Sequence, residues 1–349
     1  MNTQAVAPAS DARGVRIAVD AMGGDHGPAE VVPGALDHAR AHPEHEVILV
    51  GDEARIRAVA GAMPVNVTIV HASQTIEMDE HPAQAIRDKK DASIIVACNL
   101  VRGGDADAVV TAGHTGAAMA AAVLRIGRLP GVDRPGLAVQ MIRDGTPFLL
   151  LDIGANPDSS ALNLAQYARM GAIFAERVLG IENPRVALLS IGEEKGKGDL
   201  RIQQATELLD ASSLHFIGNV EGRDLTGTVA DVVVTDAVTG NVVIKFFEGL
   251  SAFIFDHFRA EFRGSLRGRL GYLLLRPGIA RIRDVFDYEK VGGAPLLGVR
   301  GSVIITHGRA KRRMIEYACD VGARTARTGV PALLAAALAE DAAPAEAPA

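Results

Sequence analysis

Short β-branched runs recur along this chain, each closing on glycine or a small polar residue and followed by a helix-like stretch. They are VRIAVD (15–20), EVILVGD (46–52), VTIVHAS (67–73), ADAVVTAG (106–113), RVALLSIG (185–192), LHFIGN (214–219), ADVVVTD (230–236) and SVIITHG (302–308). Apolar runs without alternation suit strands covered on both faces, with the intervening helices as the cover. The pattern predicts a three-layer α/β/α fold around a mostly parallel sheet. One stretch breaks the rhythm. In LAVQMIRDGTPFLLLDIGAN (137–156) two strand-like runs flank Arg143-Asp144-Gly145-Thr146, which predicts an antiparallel hairpin.

No Pro/Gly/Ser-rich linker divides the chain, which predicts one α/β catalytic domain over 14–330, with two lobes meeting at a cleft. Residues 1–13 lack the basic start and apolar run of a signal peptide, and 331–349 are Ala/Pro-rich, so both tails are expected to be disordered. No window approaches the roughly 18 to 20 uninterrupted apolar residues of a membrane span, so a water-soluble, non-exported body is expected. The only cysteines, Cys98 and Cys319, sit in apolar helix-like stretches, which excludes a cysteine metal site and fits a reducing cytoplasm. They read as small buried side chains rather than covalent acyl carriers. A net charge of −6 argues against a nucleic-acid binder.

Ligands of open parallel sheets bind beyond the carboxyl ends of the strands. The loop Asp20-Ala21-Met22-Gly23-Gly24-Asp25-His26-Gly27-Pro28 breaks a strand into glycines before a helix that Pro28 can start, and its backbone N–H groups suit an anion. Residues 106–116 and 230–240 are identical at seven of eleven positions, which predicts the same strand–loop–helix corner built twice. In those corners Thr115 and Thr239 can cap helix starts, while Gly116 and Gly240 admit a close ligand such as phosphate. His114 is a possible acid–base group. Asp152-Ile153-Gly154-Ala155-Asn156-Pro157 ends a strand on groups that can bind a ligand or shape their own turn. In the loop 191–199, Glu194, Lys195 and Lys197 stand among glycines, where a lysine can reach over an anion.

Charge gathers at 246–283. Six of the ten phenylalanines fall between Phe246 and Phe262, and Leu250, Ile254, Phe258, Phe262, Leu266, Leu270 and Leu274 advance four residues at a time. Seven arginines, among them Arg259, Arg263, Arg267 and Arg269, meet only Glu261 over 259–283, giving +6. A protruding, basic amphipathic helical hairpin is expected there, suited to an anionic membrane, an acidic protein partner or a dimer interface.

Taken together, IAVDAMGGDHGP (17–28), VGDE (50–53), RDKKDAS (87–93), TAGHTGA (111–117), LLLDIGAN (149–156), NPRVALLSIGEEKGKG (183–198), FIGNVEGRD (216–224), VVVTDAVTGNVVIK (232–245), GGAPLLGVRG (292–301) and THG (306–308) resemble the bacterial acyl carrier protein:phosphate acyltransferase family, PlsX. The resemblance runs from about residue 15 to about residue 325. It implies an isopropylmalate dehydrogenase/phosphotransacetylase-like fold, a homodimer, no cofactor and no metal. The implied reaction is acyl phosphate formation from fatty acyl carrier protein and inorganic phosphate, early in phospholipid synthesis. It carries over to Asp20, Gly23, Gly24, Asp25, Thr115, Gly116, Asn156, Glu194, Lys197, Gly240, Asn241 and Lys245. His114 stands where the family usually has Asn, and Ala237 where it usually has Gly.

The expected catalytic set is Lys197, Asn156, His114 and Glu194, with His26 and Thr239 joining the binding residues. Carrier protein or membrane would dock on Arg259, Arg263, Arg267, Arg269, Phe258, Phe262 and Leu266. Expected partners are acyl carrier protein, phosphate, a second copy of the chain, the inner face of the cell membrane and the membrane acyltransferase that uses acyl phosphate, with no nucleic acid. Rival readings are a short-chain acyltransferase using coenzyme A thioesters, a nicotinamide-dependent decarboxylating dehydrogenase, and a membrane-surface scaffold.

Overall fold

A computed structural model describes residues 14–143, 146–285 and 287–342. Residues 1–13, 144, 145, 286 and 343–349 lie outside the described residues, and with them the expected disorder of the N-terminal tail and of the last seven residues. The strands are β1 (Arg16–Asp20), β2 (Glu46–Gly51), β3 (Val67–His71), β4 (Ala108–Thr111), β5 (Gly136–Arg143), β6 (Thr146–Leu151), β7 (Val186–Leu189), β8 (Phe216–Val220), β9 (Val232–Val234), β10 (Ala294–Leu297) and β11 (Ser302–Ile305). The helices are α1 (Gly27–Ala41), α2 (Glu53–Ala60), α3 (Pro82–Asp88), α4 (Ser93–Gly103), α5 (Thr115–Ala121), α6 (Ala161–Arg177), α7 (Leu200–Asp210), α8 (Ala237–Gly264), α9 (Leu266–Val285), α10 (Arg312–Arg327) and α11 (Val330–Ala342).

The strands form one 11-stranded sheet in the order β3-β2-β1-β4-β11-β10-β5-β6-β9-β7-β8. β3, β2, β1, β4 and β11 are mutually parallel, as are β6, β9, β7 and β8. Between the groups, β10 is antiparallel to both β11 and β5, and β5 is antiparallel to β6. The two parallel halves therefore run in opposite directions across a β10–β5 seam. The β5–β6 hairpin was legible in the sequence, whereas β10 was not.

Alternate residues of each strand feed opposite faces, as the two-residue strand period demands. In the first half Ala18, Ile48 and Val109 pack beneath α4, while Ile17, Leu49 and Val110 pack beneath α1 and α10. In the second half Leu149, Leu188 and Val232 meet α6 and α7, while Phe148, Leu150 and Val233 meet Val243 and Ile244 of α8. Each such leucine contributes about 1.5–3 kcal/mol by leaving water.

The repeated segment proves to be a repeated architecture. Asp107, before β4, accepts the backbone N–H of Arg16 at 2.8 Å and its Nη2 at 2.9 Å. Asp231, before β9, accepts the same groups of Arg185 at 2.9 and 2.8 Å. Each pair locks the start of a strand to its parallel neighbour.

Three expectations are corrected. The last helix, α11, runs to Ala342, and Val330 and Leu334 are buried against α6, so order extends past residue 330. The amphipathic segment begins at Ala237 rather than at 246, and its four-residue stripe is broken between two helices at Ser265, where α9 turns back so that Tyr272 meets Phe262. α8 also has the length and apolarity of a membrane span by composition alone, although its Asp236 cap and first turns belong to the folded body.

Candidate active site

Loops from both halves of the sheet converge on a cavity of about 820 Å³. Its lining takes Asp25 from the loop after β1, Thr115 from α5, His307 from the end of β11, Gly154 from the end of β6, and Asn241 and Lys245 from α8. Its walls include Leu137, Val139 and Met141 of β5, Ile153, Phe247 and Tyr317. The lining is mostly apolar but also carries Glu248, Asp287, Lys290, Arg309, Asp320 and Arg324, a mixture that suits an amphiphilic substrate bearing negative charge.

Tight backbone approach shapes this part of the lining. Gly24 has φ +88°, and a Cβ there would lie 3.0 Å from the carbonyl oxygens of Ala112 and Gly308. That closeness lets the Asp25 N–H donate to Gly308 O at 2.8 Å, joining the β1 and β11 loops. A Cβ on Gly240 would lie 2.1 Å from Asp152 O, so only glycine lets the first turn of α8 lie against the end of β6. Asn241 Nδ2 then donates to Ile153 O at 3.2 Å.

Lys245 shares the lining with the cations Lys290, Arg309 and Arg324 and with the acidic Glu248. Its ammonium contacts His307 Nε2 and lies 3.5 Å from Glu248, which in turn is 3.9 Å from His307. Burial and the neighbouring ammonium hold the His307 imidazole below its usual pKa, favouring the neutral ring. His307 was missed among the sequence-expected site residues, although THG has the same strand-end glycine signal as the other corners.

Several expected residues do other work. Asp20 is only 2% exposed; its Oδ2 accepts from Thr111 Oγ1 at 2.7 Å, and burial pushes its carboxyl pKa up. It supports the Gly23 and Gly113 turns beneath the cavity rather than meeting an anion. Asn156 is buried outside the cavity lining, and its amide donates to Pro135 O and Tyr167 OH, each at 2.6 Å, a structural role within the core. Asp152 accepts from the N–H groups of Ala155 and Asn156 at 2.7 and 2.9 Å, so it shapes its own turn.

The expected threonine caps are also corrected. His114 is the cap of α5, its Nδ1 accepting the Gly116 N–H at 3.0 Å, and Thr115 is the first helical residue. His114 thus serves as a capping group and does not line the cavity. Asp236 caps α8, accepting the N–H groups of Val238 and Thr239 at 3.0 Å each and the Thr239 hydroxyl at 2.7 Å. With a carboxylate already seated there, the α8 start is not an open phosphate cradle.

Glu194 and Lys197 stand exposed on the loop after β7, outside the cavity lining, and Lys195 pairs with Asp210 at 2.8 Å. His26 is exposed at the start of α1 and Gly116 packs on Pro82; neither lines the cavity. On the hairpin, Phe258 and Leu266 are 52% and 82% exposed, Phe262 stacks near Phe258, and Arg263, Arg267 and Arg269 are exposed. Arg259 pairs with Asp256 at 2.7 Å. Both cysteines are fully buried, and burial raises their thiol pKa values.

Residues 15–333 match the family model described as "Fatty acid synthesis protein". The chain is 48% identical over 318 residues to a phosphate acyltransferase of Desulfitobacterium hafniense (strain Y51), covering 90% of this chain and 95% of that one. It is 46% identical over 326 residues to a phosphate acyltransferase of Myxococcus xanthus, covering 92% of each. Among solved structures, a phosphotransacetylase from Streptococcus pyogenes matches with TM-score 0.61 at 17% identity, over 90% of this chain and 94% of that chain. A branched-chain phosphotransacylase from Enterococcus faecalis matches with TM-score 0.57 at 15% identity, over 89% of this chain and 99% of that one. These two likenesses establish the fold.

Proposed function

Because the chain belongs to the phosphate acyltransferase family, whose members are acyl-transferring enzymes of lipid synthesis, we propose that it makes acyl phosphate from a fatty acyl thioester of acyl carrier protein and inorganic phosphate. The observation that carries this reading is one cavity of about 820 Å³ whose mostly apolar lining also includes Lys245. The chamber suits a fatty chain. The ammonium suits phosphate.

In this reaction a phosphate oxygen bonds to the thioester carbonyl carbon, the C–S bond breaks, and the sulfur leaves as thiolate. Phosphate is already partly dianionic near neutrality, as the second pKa of about 6 of phosphate esters indicates, and a thiol of pKa about 8.5 leaves readily. Positioning and charge stabilisation therefore outweigh proton transfer. Lys245 holds phosphate, Asn241 and Thr115 face the carbonyl, and neutral His307 fixes the Lys245 amine. No enzyme thiol takes the acyl group.

The carrier protein is acidic, and the arginine-bearing hairpin is its docking surface. The exposed phenylalanines of α8 bring the same hairpin to the inner face of the cell membrane, where the membrane acyltransferase receives the product. Two copies of the chain form the working unit. Charge reversal at Arg263 and Arg267 should weaken carrier affinity and binding to anionic liposomes; unchanged values for both would remove this docking role.

The deciding experiment is single-turnover reaction of palmitoyl-carrier protein, alongside palmitoyl-coenzyme A, with and without phosphate. Phosphate-dependent acyl phosphate from the carrier thioester supports the reading. Turnover with coenzyme A alone would move the assignment to a short-chain type of donor.

A further inference from the structure

We propose that His38, His42 and Asp320 form a site for one divalent transition-metal ion of the zinc class, which staples the end of α1 to α10. His38 and His42 lie four residues apart at the end of α1, so both rings fall on one side of it, with centroids 4.7 Å apart. Asp320 reaches them from α10, 282 residues further along the chain than His38. It arrives because α1 and α10 pack closely: a Cβ on Gly34 would lie 2.3 Å from Arg312 O.

The three donor atoms lie within 4.8 Å of one another. Asp320 Oδ1 is 2.7 Å from His38 Nδ1 and 3.4 Å from His42 Nε2. Bonds of about 2.0–2.2 Å in a tetrahedral zinc site put neighbouring donors roughly 3.3 Å apart, within small side-chain adjustments of this arrangement. His38 is fully buried, whereas the side chains of His42 and Asp320 are 39% and 29% exposed. The site thus has a fixed inner wall and a mouth through which an ion can enter. Two imidazoles and one carboxylate favour zinc, nickel or cobalt over calcium or magnesium.

A further layer of residues supports both the empty and the loaded site. Arginine only donates, so Arg327 Nη2, 2.6 Å from His45 Nε2, keeps the His45 proton on Nδ1. His45 then donates to His38 Nε2 at 3.1 Å, and His38 Nδ1 donates to Asp320. An ion on His38 Nδ1 reverses this chain: His38 donates from Nε2 to His45 Nδ1, and His45 donates from Nε2 towards Glu44 Oε1, now 3.7 Å away. Arg327 is exposed, so water can solvate its guanidinium once His45 turns its donor towards Glu44. The loaded state would gain a ligand histidine whose second nitrogen is fixed by a histidine–carboxylate relay. Asp320 also borders the cavity beside Tyr317 and Val321, so the staple would hold that wall in place.

The test is calorimetric titration of chelator-stripped full-length protein with zinc chloride, paired with thermal unfolding. The expected result is one zinc per chain and a raised melting temperature. His42→Ala should weaken zinc binding by about 100-fold or more, and Asp320→Asn by at least about tenfold, since it keeps an acceptor for His38. His215→Ala, on an exposed histidine away from the cluster, should bind as the parent does. Cobalt should give tetrahedral ligand-field absorption that His42→Ala abolishes. No zinc uptake at millimolar concentration, or undiminished uptake in both His42→Ala and Asp320→Asn, would overturn the proposal.

Discussion

Arg185 holds Asp231 with its backbone N–H at 2.9 Å and its guanidinium at 2.8 Å, tying the start of β7 to that of β9. The arginine side chain is 39% exposed and the aspartate 10%, so solvent screens only part of this contact. Asp231→Ala should lower stability by about 1.5–3 kcal/mol, measured by denaturant unfolding, and leave the KM for phosphate unchanged.

Asn156 presents the opposite case from its sequence reading. Its amide joins Pro135 O to Tyr167 OH inside the core, so Asn156→Ala strands two buried polar groups. The expected cost is about 1–3 kcal/mol in urea unfolding. Turnover per folded molecule should change little. A large loss of kcat in stably folded protein would return Asn156 to the reaction.

Lys245 and His307 should fail together. Lys245→Ala is expected to reduce kcat/KM for phosphate by about 10²–10³-fold, the usual effect of losing one charge-stabilising donor. Removing the ammonium also removes one cause of the depressed His307 pKa. NMR titration of Lys245→Met should therefore show His307 gaining its proton at higher pH than in the parent.

Burial raises the Asp236 carboxyl pKa, but the bonds from Thr239 and Val238 and the charge of Arg201 outweigh it, leaving a net depression. A depressed folded pKa means that its stabilising effect is complete above the unfolded value of about 3.9 and fades as pH falls through the folded value. Asp236→Asn keeps a capping acceptor without charge. Its stability deficit should be steady near neutrality and shrink below about pH 4, measured by urea unfolding across pH.

Cys98→Ala and Cys319→Ala should each retain turnover, measured with the carrier thioester and phosphate. Both thiols are buried and held protonated, so neither is available for an acyl-enzyme. Loss of turnover in both folded variants would contradict direct phosphate attack.

Strands that run apolar on both faces announce themselves, which is why β1, β2, β4 and β11 were legible from their residues. β10 was not, because Ala294–Leu297 is short and carries Pro295, a residue that normally argues against an interior strand. The glycine corners were legible for the same reason that Gly24 and Gly240 are needed. The division of labour within them was not, because Asp20, Asn156 and His114 differ from Asp25, Asn241 and His307 in burial and partners rather than in chemistry. The sequence reading put Lys197 in the catalytic set and Lys245 only among the binding residues, and it is the packing of α8 against the β6 end that puts Lys245 in the cavity.

α8 is one unbroken rod of 28 residues, about 42 Å long, with Lys245 near one end and Phe258 and Phe262 near the other. A tilt of about 5° about the root would carry the far end through about 4 Å at that length. The converse matters more. A partner that held the far turns would therefore limit the swing of the whole rod, and with it the travel of the phosphate-holding ammonium, with no change of shape anywhere between.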